Sequence, residues 1–247
     1  NMFSDPQVDG IWCIRSDYEC RRLLPDIDYK KKKKNPKILI GYSDITALLQ
    51  GIHQKTGLVC FHGPVGASEL TDYNNQHIHN ILLEPKEQYS ILLSQENLQN
   101  EAAHYKVEVI RPGKMKGSLI GGNLSLLAAL AGTDYSFDAK GKIVFIEDIG
   151  EKPYRIDRML TTLRQSCNLA AASGIALGIF EDCQPDEDDL SLSLMETLRD
   201  RLQELGMPII YGLSFGHISN QCILPLGIKA VLDTGKQSID LLENAVI

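Results

Sequence analysis

Three short apolar runs, each followed by amphipathic or turn-forming sequence, constrain most strongly what this chain can fold into. Residues 10–14 (Gly-Ile-Trp-Cys-Ile), 37–41 (Lys-Ile-Leu-Ile-Gly) and 58–61 (Leu-Val-Cys-Phe) are apolar almost throughout. Such runs read as buried strands rather than strands with one wet face. Helical patterns at residues 19–24 and 45–55 separate them. Strand–helix–strand alternation of this kind predicts an α/β fold, a parallel sheet covered on both faces.

Between residues 84 and 105 the rhythm gives way to polar, turn-rich sequence, and a second unit follows. Its predicted strands are residues 106–110, 142–146, 174–180, 208–211, 223–225 and 229–232. Its predicted helices are residues 124–131, 155–165 and 190–205. Two domains are therefore expected, 1–105 and 106–247. The total of 247 residues accommodates one large domain or two modest ones.

Charge and composition remove several function classes. The net charge of −7 argues against a nucleic-acid partner, which normally demands a basic face. The lysine run from Lys30 to Lys34 reads as a solvated helix face or loop. No stretch approaches the roughly 20 apolar residues of a membrane span, and the first residues lack a basic-then-apolar signal pattern. The six cysteines are scattered without a CxxC pair, as expected of free thiols in a reducing cytoplasm. Neither a metal nor a cofactor is called for.

Three loci could carry chemistry. Ser43 stands where an apolar strand ends and a helical pattern begins, in Gly41-Tyr42-Ser43-Asp44. A sharp strand-to-helix turn there would lift a hydroxyl clear of the sheet and aim nearby backbone N–H groups at a developing oxyanion. The competing reading is a plain helix N-cap. His217 follows a predicted strand and a glycine, the place for a base, with His62 in Phe61-His62-Gly63-Pro64 as its rival. Glu147 closes the strand before it and could orient that base. Asp148 and Glu151 are alternative carboxylates, and an ion pair from Glu147 to Arg155 or Arg158 is the structural alternative. Gly121-Gly122-Asn123 before a helix could present N–H groups to an anion, but it lacks GxGxxG and the P-loop lysine, so a tight structural turn is the preferred reading.

With these loci in hand, the chain resembles the LD-carboxypeptidase family of serine peptidases. The segments that carry the resemblance run in order: Phe3-Ser4-Asp5-Pro6, residues 36–46 around Ser43, Phe61-His62-Gly63-Pro64, Gly121-Gly122-Asn123-Leu124-Ser125, Phe145-Ile146-Glu147-Asp148, residues 153–160, and Phe215-Gly216-His217 before Leu224-Pro225-Leu226-Gly227. The resemblance implies Ser43 as nucleophile, His217 as general base and Glu147 as its orienting acid. It implies a Rossmann-like N-terminal domain, a smaller β-rich C-terminal domain, a site between them and a homodimer. The substrate it implies is a small peptide, a murein tetrapeptide that loses its terminal D-Ala. A related branch confers immunity to microcin C by cutting a peptidyl-nucleotide.

The sequence departs from the family pattern in two places. Where the family has Arg-Gly-Gly-Tyr-Gly, this chain has Arg15-Ser16-Asp17-Tyr18-Glu19. That turn, here at Asp17, and the N–H of Asp44 are the oxyanion donors the resemblance implies. Side chains in place of glycine resist the close approach such a turn needs. Weak activity, or a silent binding protein that keeps the cleft, is therefore the alternative expectation. Family members also carry a strand–helix segment before this chain's first residues, so a missing first strand is expected.

Overall fold

The structure, a computed structural model, describes residues 2–16, 18–186 and 190–246. The expectation placed on Asp17 lies outside the described residues. The fold is mixed α/β with parallel strands, as the alternating pattern predicts.

The first sheet begins with β1 (Gly10–Trp12), parallel to β2 (Ile38–Gly41), which is parallel to β3 (Phe61–His62). Helices α1 (Cys20–Leu23) and α2 (Tyr29–Lys34) lie between β1 and β2. The lysine run forms most of α2, with the Asp28 side chain capping it and Lys32 resting over the Phe3 ring. Helix α3 (Ile45–Thr56) joins β2 to β3; Ile45, Leu49 and Ile52 recur at helical spacing on its buried face, and Gly57 ends it at φ +76°. Two expectations shift here. The third strand is displaced to Phe61–His62, and Trp12 remains 39% exposed because β1 is an edge of this sheet among the described residues.

Helix α4 (Asp72–Ile78), strand β4 (Tyr89–Ile91) and helix α5 (Gln95–Gln99) occupy the polar middle of the chain. The rest builds an eight-stranded sheet. It comprises β5 (Glu108–Arg111), β6 (Lys114–Asn123), β7 (Lys142–Glu147), β8 (Gly174–Leu177), β9 (Ile209–Tyr211), β11 (Lys229–Asp233), β12 (Ser238–Leu241) and the earlier β4. Its centre, β6–β7–β8–β9, is parallel. Helices α6 (Leu124–Leu130), α7 (Pro153–Ser166) and α8 (Leu194–Leu202) connect those strands. Helix α8 starts at Leu194 rather than 190, because its N-cap Ser193 and Glu196 satisfy each other's backbone N–H groups in a capping box. Strand β10 (Leu224–Pro225) leaves this unit to pair antiparallel with β3.

Candidate active site

Ser43 occupies the turn from β2 into α3 with φ +61°, one of four described non-glycine residues at positive φ. Such a conformation costs on the order of 1–3 kcal/mol and persists where its surroundings over-determine it. Gly41 is part of that surrounding, since a Cβ there would lie 2.8 Å from Ile45 Cγ2. The first turn of α3 thus folds back against the strand that precedes it. A plain N-cap would have extended backbone. Here the N-cap position falls on Asp44, whose carboxylate makes no bond to the helix and instead accepts from Cys20 N–H at 2.8 Å.

Helix α3 is docked on the end of β6 by two glycines that sequence reasoning took for a turn. Gly121 and Gly122 lie within β6 at φ +150° and +145°. A Cβ on Gly122 would fall 2.5 Å from Thr46 Cγ2, and one on Gly121 1.8 Å from the Phe145 carbonyl oxygen. Glycine here serves close approach. Gln50 Nε2 donates to Gly121 O at 2.7 Å, and Asn123 N–H donates to Thr46 Oγ1 at 3.1 Å. Asn123 is the register partner of Glu147 on β7, so one short path joins the start of the serine's helix to the glutamate's strand.

Glu147 is fully buried, and its Oε2 accepts a 2.8 Å hydrogen bond from His217 Nδ1–H. Gly216 permits that approach at φ +125°: a Cβ there would sit 2.6 Å from Ile179 O and 3.4 Å from Glu147 Cβ. The His217 side chain keeps 14% of its surface exposed, so its other nitrogen can meet a substrate. The ring of Tyr42, adjacent to Ser43, packs edgewise on the His217 ring at 4.8 Å between centroids. Burial lowers the affinity of His217 for a proton, but the hydrogen bond to Glu147 and the charges of Glu147, Asp148 and Glu181 outweigh it, and its pKa is raised above 6.5.

The rival residues are engaged elsewhere. His62 is wholly buried among Tyr42, Phe145 and Phe215, with no hydrogen-bond partner for either ring nitrogen among the described residues. Asp148 accepts from Asn123 Nδ2, from Ser125 N–H and Oγ–H, and from Ile149 N–H. Its carboxylate therefore fills the N-terminus of α6, where an exogenous anion had been an alternative. Arg155 pairs with Glu151, not with Glu147. Sequence reasoning missed Tyr42 and Thr46. It singled out Ser16 as a departure from the family's glycine turn, but not its contact: the Ser16 Oγ accepts from Asp44 N–H at 2.9 Å.

A cavity of about 330 Å³ opens elsewhere, between α4 and β4, lined by Tyr73, Gln76, His77, Tyr89 and Glu96. It contains none of Ser43, Glu147 or His217, and a bonded carboxylate–imidazole pair that packs against the tyrosine preceding a strained serine is the stronger mark of a reaction site.

The chain is similar to known proteins along most of its length. The models for the LD-carboxypeptidase N-terminal and C-terminal domains match residues 1–63 and 116–232. The probable murein peptide carboxypeptidase of Bacillus subtilis (strain 168) is 38% identical over 237 residues, 96% of this chain and 72% of that protein. The crystal structure of muramoyltetrapeptide carboxypeptidase from Oxalobacter formigenes superposes with a TM-score of 0.82 at 30% identity, over 97% of this chain and 80% of that one. MccF in complex with glutamyl sulfamoyl guanosine gives 0.85 at 26% identity, over 100% and 79%. With both domain models matched in order and a relative this similar over 96% of this chain, the chain belongs to the LD-carboxypeptidase family.

Proposed function

We propose that this chain is a serine-type LD-carboxypeptidase that hydrolyses the bond between an L-configured centre and a terminal D-amino acid, releasing D-Ala from a murein tetrapeptide. The observation that carries the proposal is the His217 Nδ1–Glu147 Oε2 bond, with the His217 ring packed on Tyr42, the residue before a serine held at positive φ. Ser43 Oγ attacks the scissile carbonyl while His217 Nε2 takes its proton. Glu147 holds the imidazole in the tautomer that leaves Nε2 free and stabilises the imidazolium. The oxyanion is received by Asp44 N–H. Collapse of the tetrahedral intermediate breaks the C–N bond as His217 returns the proton to the leaving D-Ala nitrogen. A water, deprotonated by His217, then attacks the acyl-enzyme; its collapse releases the shortened peptide and restores the Ser43 hydroxyl.

Residues 1–105 would form the domain carrying Ser43 and residues 106–247 the domain carrying Glu147 and His217, joined as a homodimer in the cytoplasm. Six unpaired cysteines are consistent with a reducing compartment. A second reading, cleavage of a peptidyl-nucleotide, is supported by the 0.85 TM-score to MccF.

The deciding assay gives the purified protein a D-Ala-terminated tetrapeptide and, separately, a peptidyl-nucleotide, with Ser43→Ala alongside. D-Ala release that disappears in Ser43→Ala is the expected result. Cleavage of the nucleotide conjugate alone would transfer the assignment to the second reading. Undiminished turnover in Ser43→Ala would remove Ser43 as nucleophile.

A further inference from the structure

The proposed mechanism requires the N–H of Asp44 to be free when the tetrahedral oxyanion forms. In the resting protein it is not free, because it donates to Ser16 Oγ at 2.9 Å. The contact belongs to a pair of crossed bonds. Asp44 Oδ2 accepts from Cys20 N–H at 2.8 Å, so residues 16 and 20 grip both the backbone and the side chain of Asp44. Ser16 is half-buried and stands where the family pattern has glycine, a residue with no side chain to make such a contact.

We propose that the Ser16 hydroxyl is a built-in occupant of the oxyanion position, which the reacting carbonyl oxygen must displace. A backbone N–H makes one well-directed hydrogen bond at a time. The neutral carbonyl of a bound substrate is no better an acceptor than the hydroxyl, so it gains little by exchange. The tetrahedral oxyanion is charged, binds the same N–H about twice as strongly, and drives Ser16 off. The cost of exchange therefore falls on the transition state, and Ser16 holds kcat down while leaving substrate affinity almost unchanged. Ser16 acts through the Asp44 N–H rather than by touching the reacting atoms during turnover, and is a positioning residue in that sense. The inference rests on the assignment of Ser43 as nucleophile.

The test compares wild type with Ser16→Ala, Ser16→Gly and Ser16→Thr in two assays. One is steady-state release of D-Ala from a tetrapeptide. The other is the rate at which a fluorophosphonate labels Ser43, because its phosphoryl oxygen needs the same donor and its labelling does not depend on the identity of the peptide. Ser16→Ala and Ser16→Gly should raise kcat and the labelling rate together. The gain is bounded by the worth of one oxyanion donor, about 10²–10³-fold, with KM within about twofold. Ser16→Thr, which keeps the hydroxyl, should stay near wild type. A merely structural contact predicts the opposite, a fall in both thermal stability and rate when the hydroxyl is removed. Equal labelling of wild type and Ser16→Ala would overturn the inference and leave Ser43 as nucleophile. A slower Ser16→Ala would also overturn it, since the hydroxyl would then be helping the oxyanion. No labelling of Ser43 in any variant would overturn both this inference and the proposed function.

Discussion

His62 gives the chain an acid lability whose size can be worked from its surroundings. The imidazole is wholly buried on β3, packed edgewise against Tyr42, Phe145 and Phe215, and neither ring nitrogen has a hydrogen-bond partner among the described residues. Burial dominates and drives its pKa down to about 4; the Glu147 charge opposes the fall and His217 adds to it. Between pH 6.5 and 4 the unfolded chain therefore carries a proton on this ring that the folded chain refuses. Stability drains away as pH falls from 6.5 and stops changing below 4. The whole span is worth about 3 kcal/mol, of which about 2 kcal/mol is lost by about pH 5. His62→Leu removes the titration without removing a hydrogen bond, and a swap of similar volume should change stability at neutral pH by less than about 1.5 kcal/mol. Urea melts of both proteins at about pH 7 and about pH 5 isolate the effect. His77, likewise buried and pushed down to about 4, contributes equally to both and cancels. The wild type should lose about 2 kcal/mol more than the variant on acidification, or about 4–8 °C more in Tm for a chain of this size. Parallel losses would mean that the folded state protonates His62, and the reasoning from burial would be wrong.

Two further outcomes follow from the site. Because the His217 pKa is raised, the acid limb of the kcat/KM profile should have its midpoint above 6.5, with activity appearing as the imidazole loses its proton; Glu147→Gln should move the midpoint down and lower kcat. Gly122→Ala should cost about 1–3 kcal/mol and reduce kcat, because its Cβ would meet the fully buried Thr46 at 2.5 Å and lift α3 from β6; wild-type kinetics and an unchanged Tm would show that this close approach does not position Ser43.

Legibility in the sequence followed the strength of local patterning. Helices α3 and α7 and strands β2 and β7 emerged near their predicted bounds because long apolar periodicity or continuous apolar runs define them. Strands β4 and β12 went unseen. Tyr89-Ser90-Ile91 and Ser238-Ile239-Asp240-Leu241 are short and partly polar; β12 forms a hairpin with β11, and β4 becomes a strand only by pairing with β12 across a long sequence separation. At the site, residue type at strand ends put forward Ser43, His217 with its rival His62, and Glu147 with Asp148 and Glu151; the family resemblance made the choice among them. Neither gave their relations to one another. That Glu147 bonds His217 and ignores Arg155, that Gly122 admits Thr46, and that Ser16 reaches Asp44 are facts of tertiary approach. A pattern along one chain carries no distance between remote segments.

The route of the chain around His217 bears on how such a molecule can be inherited. After β9 the backbone leaves the eight-stranded sheet, passes through His217, supplies β10 to β3, and returns to form β11; β4, encoded upstream, crosses the other way to the edge of β12. Each half therefore contains a strand whose hydrogen-bonding partner is encoded in the other half. A gene fusion that grafted the first half of one relative onto the second half of another would leave both crossing strands facing foreign edges, and one of those strands lies directly downstream of the His217 loop. Ser43 and His217, the nucleophile and base proposed above, are therefore expected to descend as a linked pair, with changes to one half screened against the backbone of the other.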